Sequence, residues 1–327
     1  MKAIKFFAIS AMAAAMITSC SSEDELSQSN YPSDNIIRVT AGVNNAKTRA
    51  DGTGTEMKTD FSLTIVNKNA PKYTYTDKVF SKKSGDWACS ETLLWQKSDA
   101  LVDIVAFAPA QTGKFNGVYA EGSIKPITYS VASDQSTSSD KNDLLYYYAK
   151  DFNPGESLDK GKLNIKFNHA FCMIDINVTL GTEFNKPSIQ TTSPIIKVTL
   201  GGTKIAANVN VTNAASVVTA SETAAATDIT TTNGSFTTAA NAETNAKSCF
   251  SCIAIPQTVA ANTFKVSLMT AGKRYEWTSD KEITLQSGYR YTLNLSMGND
   301  VVLLKGGSIS ASPWTEGDTG DKPLETD

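Results

Sequence analysis

The sequence predicts an all-β protein, and three observations carry that prediction. Apolar and polar residues alternate with a period of two through many short segments, and no long stretch repeats with the 3.6-residue period of an amphipathic helix. Thr, Val, Ile and Tyr dominate those segments, as residues do that fit a pleated, half-buried surface. Turn-forming runs of Gly, Pro, Asn, Asp and Ser interrupt them at short intervals, a spacing that suggests two stacked β-sandwiches. The length of 327 residues allows one to three domains.

Residues 1–19 are expected to be a lipoprotein signal peptide. Lys2 and Lys5 form a short positive region, and Phe6 to Ile17 is apolar but too short to span a bilayer as a permanent helix. The run ends in Ile17-Thr18-Ser19-Cys20, small residues before a cysteine, which looks like a bacterial lipobox. Cleavage would fall before Cys20 and lipid (palmitate) would attach to its sulfur; an ordinary secretory peptide with an incidental cysteine is the plainer alternative. The acidic cluster Ser21-Ser22-Glu23-Asp24-Glu25 resembles the export signal that carries Bacteroidetes lipoproteins to the outer face of the outer membrane, or else it is a solvated tether. No other segment has the composition of a membrane span, so the expected anchor is lipid alone.

The first strand follows. In Asn35 to Val43, Ile37, Val39, Ala41 and Val43 alternate with Ile36, Arg38, Thr40 and Gly42, the pattern of a half-buried strand. A polar run from Asn44 to Thr48 leads to Arg49, and Ala50 to Thr55 holds no apolar residue larger than Ala. An early strand is thus tied to the body by a soft joint marked by an arginine.

The body then reads as strand after strand. Phe61, Leu63 and Ile65 alternate with polar neighbours, Tyr73 to Thr76 continues the pattern, and Lys82 to Asp86 carries turn chemistry. Trp87 and Leu93-Leu94-Trp95 bracket Cys89. Leu101 to Ala108 is nearly continuous apolar sequence, stopped by Pro109. Gln135 to Asn142 is a Ser- and Asp-rich loop, and strand character resumes over Asp143 to Ala149. Leu163 to Leu180 alternates over so long a span that it predicts one long strand, or two with a bend near His169. The composition break from Gly181 to Pro194 sets the expected boundary between an N-terminal sandwich at 50–182 and a C-terminal one at 183–318, with a polar tail at 319–327. Strands follow at Ile195 to Leu200, Phe250 to Ile255, Phe264 to Leu268, Tyr275 to Trp277, Tyr289 to Leu295 and Val301 to Leu304. Between them, Thr219 to Asn245 is rich in Thr, Ala and Asn, and reads as loops or solvent-facing short strands.

Several chemistries find little support. Net charge is −3, or −5 once Lys2 and Lys5 leave with the signal peptide, and no basic patch offers a nucleic-acid partner. Cys249-Phe250-Ser251-Cys252 leads into a strand, not a helix start that would activate a thiol, so Cys89, Cys172, Cys249 and Cys252 are expected to be buried or partly buried free thiols. Metal binding would need further ligands beside the single histidine, His169, which reads as a packed or edge side chain. Asp134, Asp140 and Asp143 cluster in a loop, where a solvated turn is commoner than a calcium site. Gly155 to Leu163 has a phosphate-loop flavour, but its spacing is one residue too long and Leu163 stands where a hydroxyl must hold magnesium. No hydrolase, zinc-protease or dinucleotide motif is present. The expectation is therefore no enzyme, no cofactor and no metal.

Three patches resemble the fimbrillin (Mfa-like, FimA-like) family of Bacteroidales type V pilus subunits. One is Trp95 with Val102 to Pro109. The second is Asp143-Leu144-Leu145 with Phe167-Asn168-His169-Ala170-Phe171-Cys172-Met173-Ile174. The third joins Ile255-Pro256-Gln257-Thr258, Leu285 to Leu293, and Ile309 to Gly317. The resemblance implies two tandem transthyretin-like Greek-key β-sandwich domains and a lipidated precursor at the cell surface. It also implies a trypsin-like, Arg-specific protease that cuts after the first strand, here between Arg49 and Ala50, removing residues 20–49 as a propeptide. The strand displaced would be that of Ile37, Val39, Ala41 and Val43, with a strand from another fimbrial subunit filling its groove by donor-strand exchange. Arg38 is the competing site, but it lies inside the strand pattern. The family's donor segment lies near the C-terminus, where Thr315 to Asp327 has only Leu324 as an apolar residue. That departure points to a tip or accessory subunit, with Val301 to Ile309 as an upstream donor alternative. The competing function class is a surface lipoprotein that binds glycans or host or bacterial surface ligands through Tyr146-Tyr147-Tyr148 and Trp277 without polymerising, although strand alternation is expected to bury roughly every other one of those rings, which favours core packing.

Overall fold

The structure is a computed structural model that describes residues 30–44, 57, 59–111, 124, 126–137, 143–215, 217–304 and 309–314. The protein is all-β. The first body uses β1 (Arg38–Val43), β2 (Phe61–Val66), β3 (Tyr75–Lys83), β4 (Asp86–Cys89) and β5 (Val102–Ala108). Then come β6 (Ile127–Ser130), β7 (Leu145–Phe152) and β8 (Lys162–His169). All of these except β6 form one seven-stranded sheet in the spatial order β1-β8-β7-β5-β2-β3-β4. Strands β2 and β5, at its centre, are buried along their whole lengths, which is why β5 runs nearly continuously apolar, while β2 buries Ser62 and Thr64 among its apolar residues. Strand β8 alternates, with Leu163, Ile165 and Phe167 turned inward. The β3–β4 hairpin turns at Ser84 and Gly85, both left-handed with φ of 50° and 98°, as a two-residue hairpin loop requires. The sheet curls until its two edges meet, and Ile36, just before β1, bridges Leu94, just beyond β4. Inside, Phe61 packs against Phe80, Trp87 and Phe167 with ring centroids 5.3, 4.9 and 5.5 Å away.

The second body contains β9 (Cys172–Leu180), β10 (Ile195–Gly201), β11 (Ala206–Val209), β12 (Val218–Ala220), β13 (Ile229–Thr230) and β14 (Thr232–Thr237). It continues with β15 (Lys247–Ala254), β16 (Gln257–Val259), β17 (Lys265–Thr270), β18 (Arg274–Thr278) and β19 (Ile283–Leu285). It ends with β20 (Tyr289–Met297), β21 (Val302–Leu304) and β22 (Ser310–Pro313). The largest sheet runs β14-β15-β9-β20-β21, with β22 pairing the other end of β20. Strands β9 and β20 run parallel from Met173↔Arg290 to Leu180↔Met297. A four-stranded sheet, β13-β10-β17-β18, shares the core, which gathers Ile174, Ile176, Leu200, Phe264 and Leu293. A three-stranded sheet, β12-β11-β6, and a ribbon, β16-β19, complete this body.

The two apolar cores interleave along the chain: Val105, Phe107 and Leu144 join the second core, and from Ala170-Phe171 onward every described core residue belongs to it. The long alternating stretch is two strands with a bend after His169: β8 closes the first sheet and β9 is central to the second. The inward positions are odd-numbered along β8 (Leu163, Ile165, Phe167, His169) and even-numbered along β9 (Cys172, Ile174, Ile176, Val178, Leu180), so the alternation slips by one residue at Ala170-Phe171 and marks the bend. Strand β6 also belongs to the second body, where Ile127–Ser130 pairs with Val209–Ala206. A crossing of this kind is a non-local pairing, and no local pattern reports it.

Strand β7 lies between the cores, and alternation along it sends Tyr147 to the first and Tyr146 and Tyr148 to the second. All three rings are half-buried. The expectation that every other ring would be buried is thus corrected: both faces of the strand are covered. The Thr-rich stretch after Thr219 supplies the short strands β13 and β14, with Ile229 as a buried anchor.

Candidate functional site at the first strand

Strand β1 is a guest at a seam. On one side it runs parallel to β8, in register from Arg38↔Lys162 to Val43↔Phe167. On the other side its leading residues pair with the segment after β4. The Ile37 N–H donates to the Leu93 carbonyl at 2.9 Å, and the Trp95 N–H donates to the Asn35 carbonyl at 2.8 Å. Beyond Ile37 this second partner ends. The rest of β1 therefore has one strand neighbour, as an edge strand does.

Alternation decides what β1 buries. Ile37, Val39 and Val43 are 6, 5 and 9 % exposed, and Ala41 is half-buried. Ile37 and Val39 join the first core beside Leu163, Ile165 and Phe167. Each large apolar side chain so buried contributes about 1.5–3 kcal/mol, an upper estimate given residual burial in the unfolded chain. The opposite face, with Arg38 and Thr40, is exposed. A shallow cavity of about 340 Å³ runs along it between Thr40–Asn44 and the β8 residues Asn164 and Lys166.

Both ends of β1 are fastened by polar contacts. At the start, the Arg38 guanidinium donates to the Asp34 carboxylate at 2.6 Å, and the Ile36 N–H reaches the same carboxylate at 3.0 Å. Together they hold the Asp34 carboxyl well below the usual range, at about 2, with the arginine bond the larger cause. At the far end, the Asn44 N–H donates to the Phe167 carbonyl at 2.7 Å, and the Asn44 amide donates to Asn168 at 2.8 Å. Arg38 is therefore committed in the ladder and to Asp34. Cys20, Arg49 and Ala50 lie outside the described residues.

The remaining sequence candidates separate cleanly. Cys249 and Cys252 stand three apart on β15, half-buried and buried respectively, and the four described cysteines are free. Burial, with the nearby Asp175 carboxylate adding to it, pushes the Cys252 thiol far up. Burial does the same to Cys172, helped by Cys252 and Asp143. Asp134 serves its own turn by accepting the Ser136 N–H at 3.0 Å, and Asp140 lies outside the described residues. Asp143 is not a solvated turn residue at all. It is 7 % exposed and faces His169 Nδ1 at 2.5 Å. The sequence reading missed this pair, because 26 positions separate its members and only the β7–β8 pairing at Leu145↔His169 brings them together. Leu93 and Trp95, the second wall of the β1 seam, were also missed. Their apolar character was visible, but their partner was not. Among the described residues, no group of three or more His, Cys, Asp or Glu side chains is arranged to hold a metal ion.

Fold and site together define a tandem β-sandwich protein whose first strand closes the seam of its N-terminal sheet. A fimbrillin-like family model matches residues 48–314, and the chain belongs to that family. None of the curated proteins compared with the chain matches it. Among solved structures, it is similar in fold to a candidate cell-adhesion protein from Bacteroides uniformis ATCC 8492, at a TM-score of 0.57 and 16 % identity over 87 % of this chain and 100 % of the other. A candidate cell-adhesion protein from Bacteroides ovatus ATCC 8483 gives 0.59 at 15 % identity, over 85 % of this chain and 97 % of the other. A fimbrial protein from Bacteroides vulgatus ATCC 8482 gives 0.53 at 17 % identity, over 86 % and 99 %.

Proposed function

We propose that this protein is a subunit of a cell-surface fimbria, assembled by protease-triggered donor-strand exchange. One observation carries the reading: β1 lies along the edge of β8, and the residues leading into it, Asn35 to Ile37, bond Leu93 to Trp95, so one short segment closes the sheet. Cleavage between Arg49 and Ala50 by an Arg-specific, trypsin-like enzyme would sever β1 from the body. Lipid on Cys20 would hold the precursor at the outer membrane until then.

Loss of β1 uncovers the inward face of Leu163, Ile165 and Phe167 and one backbone edge of β8. Both are unfavourable in water: the side chains by area, and the edge as an open template for another strand. An extended segment of a neighbouring subunit, with apolar residues at alternate positions, satisfies both at once.

A tip or accessory role follows from the other end of the chain. The last described strands, β21 and β22, lie along β20, and among the described residues from Val301 onward Val302 and Trp314 are the deeply buried ones. Strand β22, with no large apolar side chain, and the polar sequence after it offer a poor match to a groove that takes three large apolar side chains, which leaves Val301 to Ile309 as the competing donor. A subunit that accepts a strand and donates none terminates a fibre.

The test is mild trypsin treatment of the folded protein, followed by N-terminal sequencing and mixing with a stalk subunit. Trimming to Ala50 with a gain of oligomers supports the reading. Trimming elsewhere, or no oligomers after loss of β1, overturns it. Crosslinking that places this chain's own C-terminal segment in a neighbour's groove would refute the tip assignment alone.

A further inference from the structure

We propose that the groove between β12 and the β16–β19 ribbon is a binding site for a neutral oligosaccharide. The groove has a volume of about 780 Å³, within the range of roughly 300–1,000 Å³ usual for small-molecule sites. Its floor is apolar and buried: Val217, Val218 and Leu285. Its rim carries two half-buried tyrosines, Tyr146 and Tyr289, and the exposed side chains of Thr258, Thr284 and Gln286. Tyr146 comes from β7, so the groove lies where the first sheet meets the second body.

The walls are set by hydrogen bonds that do not involve a ligand. Tyr291 donates its hydroxyl to the Thr284 carbonyl at 3.0 Å and accepts the Gln286 N–H at 2.8 Å, fixing the turn that presents Thr284, Gln286 and Tyr289. The Gln257 amide bonds the Lys204 backbone in both directions, at 2.9 Å each way. The Lys204 ammonium donates to the carbonyls of Ser221 and Glu222 at 2.9 and 3.2 Å.

Charge selects the ligand class. The cation lining the groove, Lys204, is engaged by main-chain carbonyls, and the Glu222 carboxylate nearby disfavours anions. With two of its three N–H donors committed and a carboxylate offsetting its charge, Lys204 leaves the groove without the excess positive charge that phosphates, sulfated sugars and acidic peptides need. An aliphatic ligand would strip water from the threonine hydroxyls and the Gln286 amide without replacing their bonds. A neutral sugar chain meets both halves of the lining: ring faces against tyrosines and floor, hydroxyls against Thr258, Thr284 and Gln286. The site requires neither cleavage at Arg49 nor assembly.

The experiment uses the intact, uncleaved chain, immobilised and titrated with maltotriose, mannotriose, chitotriose and xylotriose, with a sulfated trisaccharide as the anionic control. At least one neutral trisaccharide is expected to bind about tenfold more tightly than the sulfated one. Tyr289→Ala should weaken that binding about tenfold or more. Thr258→Arg, at an exposed rim position that leaves the core intact, should abolish it. Silence across the neutral panel, preference for the sulfated control, binding untouched by Thr258→Arg, or a polypeptide strand crosslinked into the groove would each overturn the proposal.

Discussion

The indole of Trp314 lies flat on the imidazole of His169, with ring centroids 3.6 Å apart and planes within 13°. Behind the imidazole stands the buried Asp143 carboxylate. Trp314 is 7 % exposed, whereas all four residues of β22 just before it are exposed. The stack therefore joins the end of the last described strand to the junction of the two cores.

Trp314→Ala should cost about 3–5 kcal/mol, the usual range for deleting a buried tryptophan, measured by chemical denaturation. A double-mutant cycle with His169→Ala should show a coupling of about 0.5–1.5 kcal/mol, as stacked ring pairs do. Amide exchange should rise first at Ser310–Ser312, because their hold on β20 would then rest on backbone bonds alone. Unchanged exchange there would show that Trp314 is not the anchor.

Asp143→Ala leaves a buried imidazole without its hydrogen-bond partner, and should destabilise the fold by about 1–3 kcal/mol in denaturant titration. His169 Nε2 and Asp143 Oδ1 have no hydrogen-bond partner among the described residues, so no second contact compensates. A loss under about 1 kcal/mol would refute that dependence.

On β1, the two faces should respond differently. Ile37→Ala removes a side chain from the core and should cost about 2–5 kcal/mol. Gly42→Ala should stay within about 0.5 kcal/mol, because a Cβ at that position meets nothing within 4 Å. Thermal melts of the two variants check the pair.

The Asp34 carboxyl sets a pH dependence. Its folded pKa of about 2 lies below the ordinary 3.8. The stabilisation it gives is therefore complete above the ordinary value and disappears as pH falls toward the folded one. The start of β1 should loosen between about pH 4 and pH 2, followed by the Ile36 amide resonance in NMR titration. Asp34→Asn should erase that step.

Thiol reactivity should follow burial. With iodoacetamide at pH 8 under native conditions, Cys89 and Cys249, both half-buried, should alkylate, while Cys172 and Cys252 stay protected until denaturation. Mass spectrometry counts the adducts, and rapid modification of Cys252 would contradict the buried assignment.

Much of this architecture was legible locally. A period-two pattern fixes which residues of a strand face inward, because successive side chains must point to opposite faces of the pleat. Ile37, Val39 and Val43 were readable on that ground, as were the buried β5 and the Ser84-Gly85 turn. The bend near His169 was readable too, but not which sheet each half of the stretch joins, because that depends on partners far along the chain.

The sequence by itself determined the β class, the inward face of β1 and the polar character of the C-terminal end. Tertiary structure alone decided what those faces meet: β1 with β8 and Leu93–Trp95, Asp143 with His169, and His169 with Trp314. Alternation is a property of neighbours along the chain. Pairing joins residues tens to more than a hundred positions apart, and the competition among many similar strands is settled only when whole sheets pack.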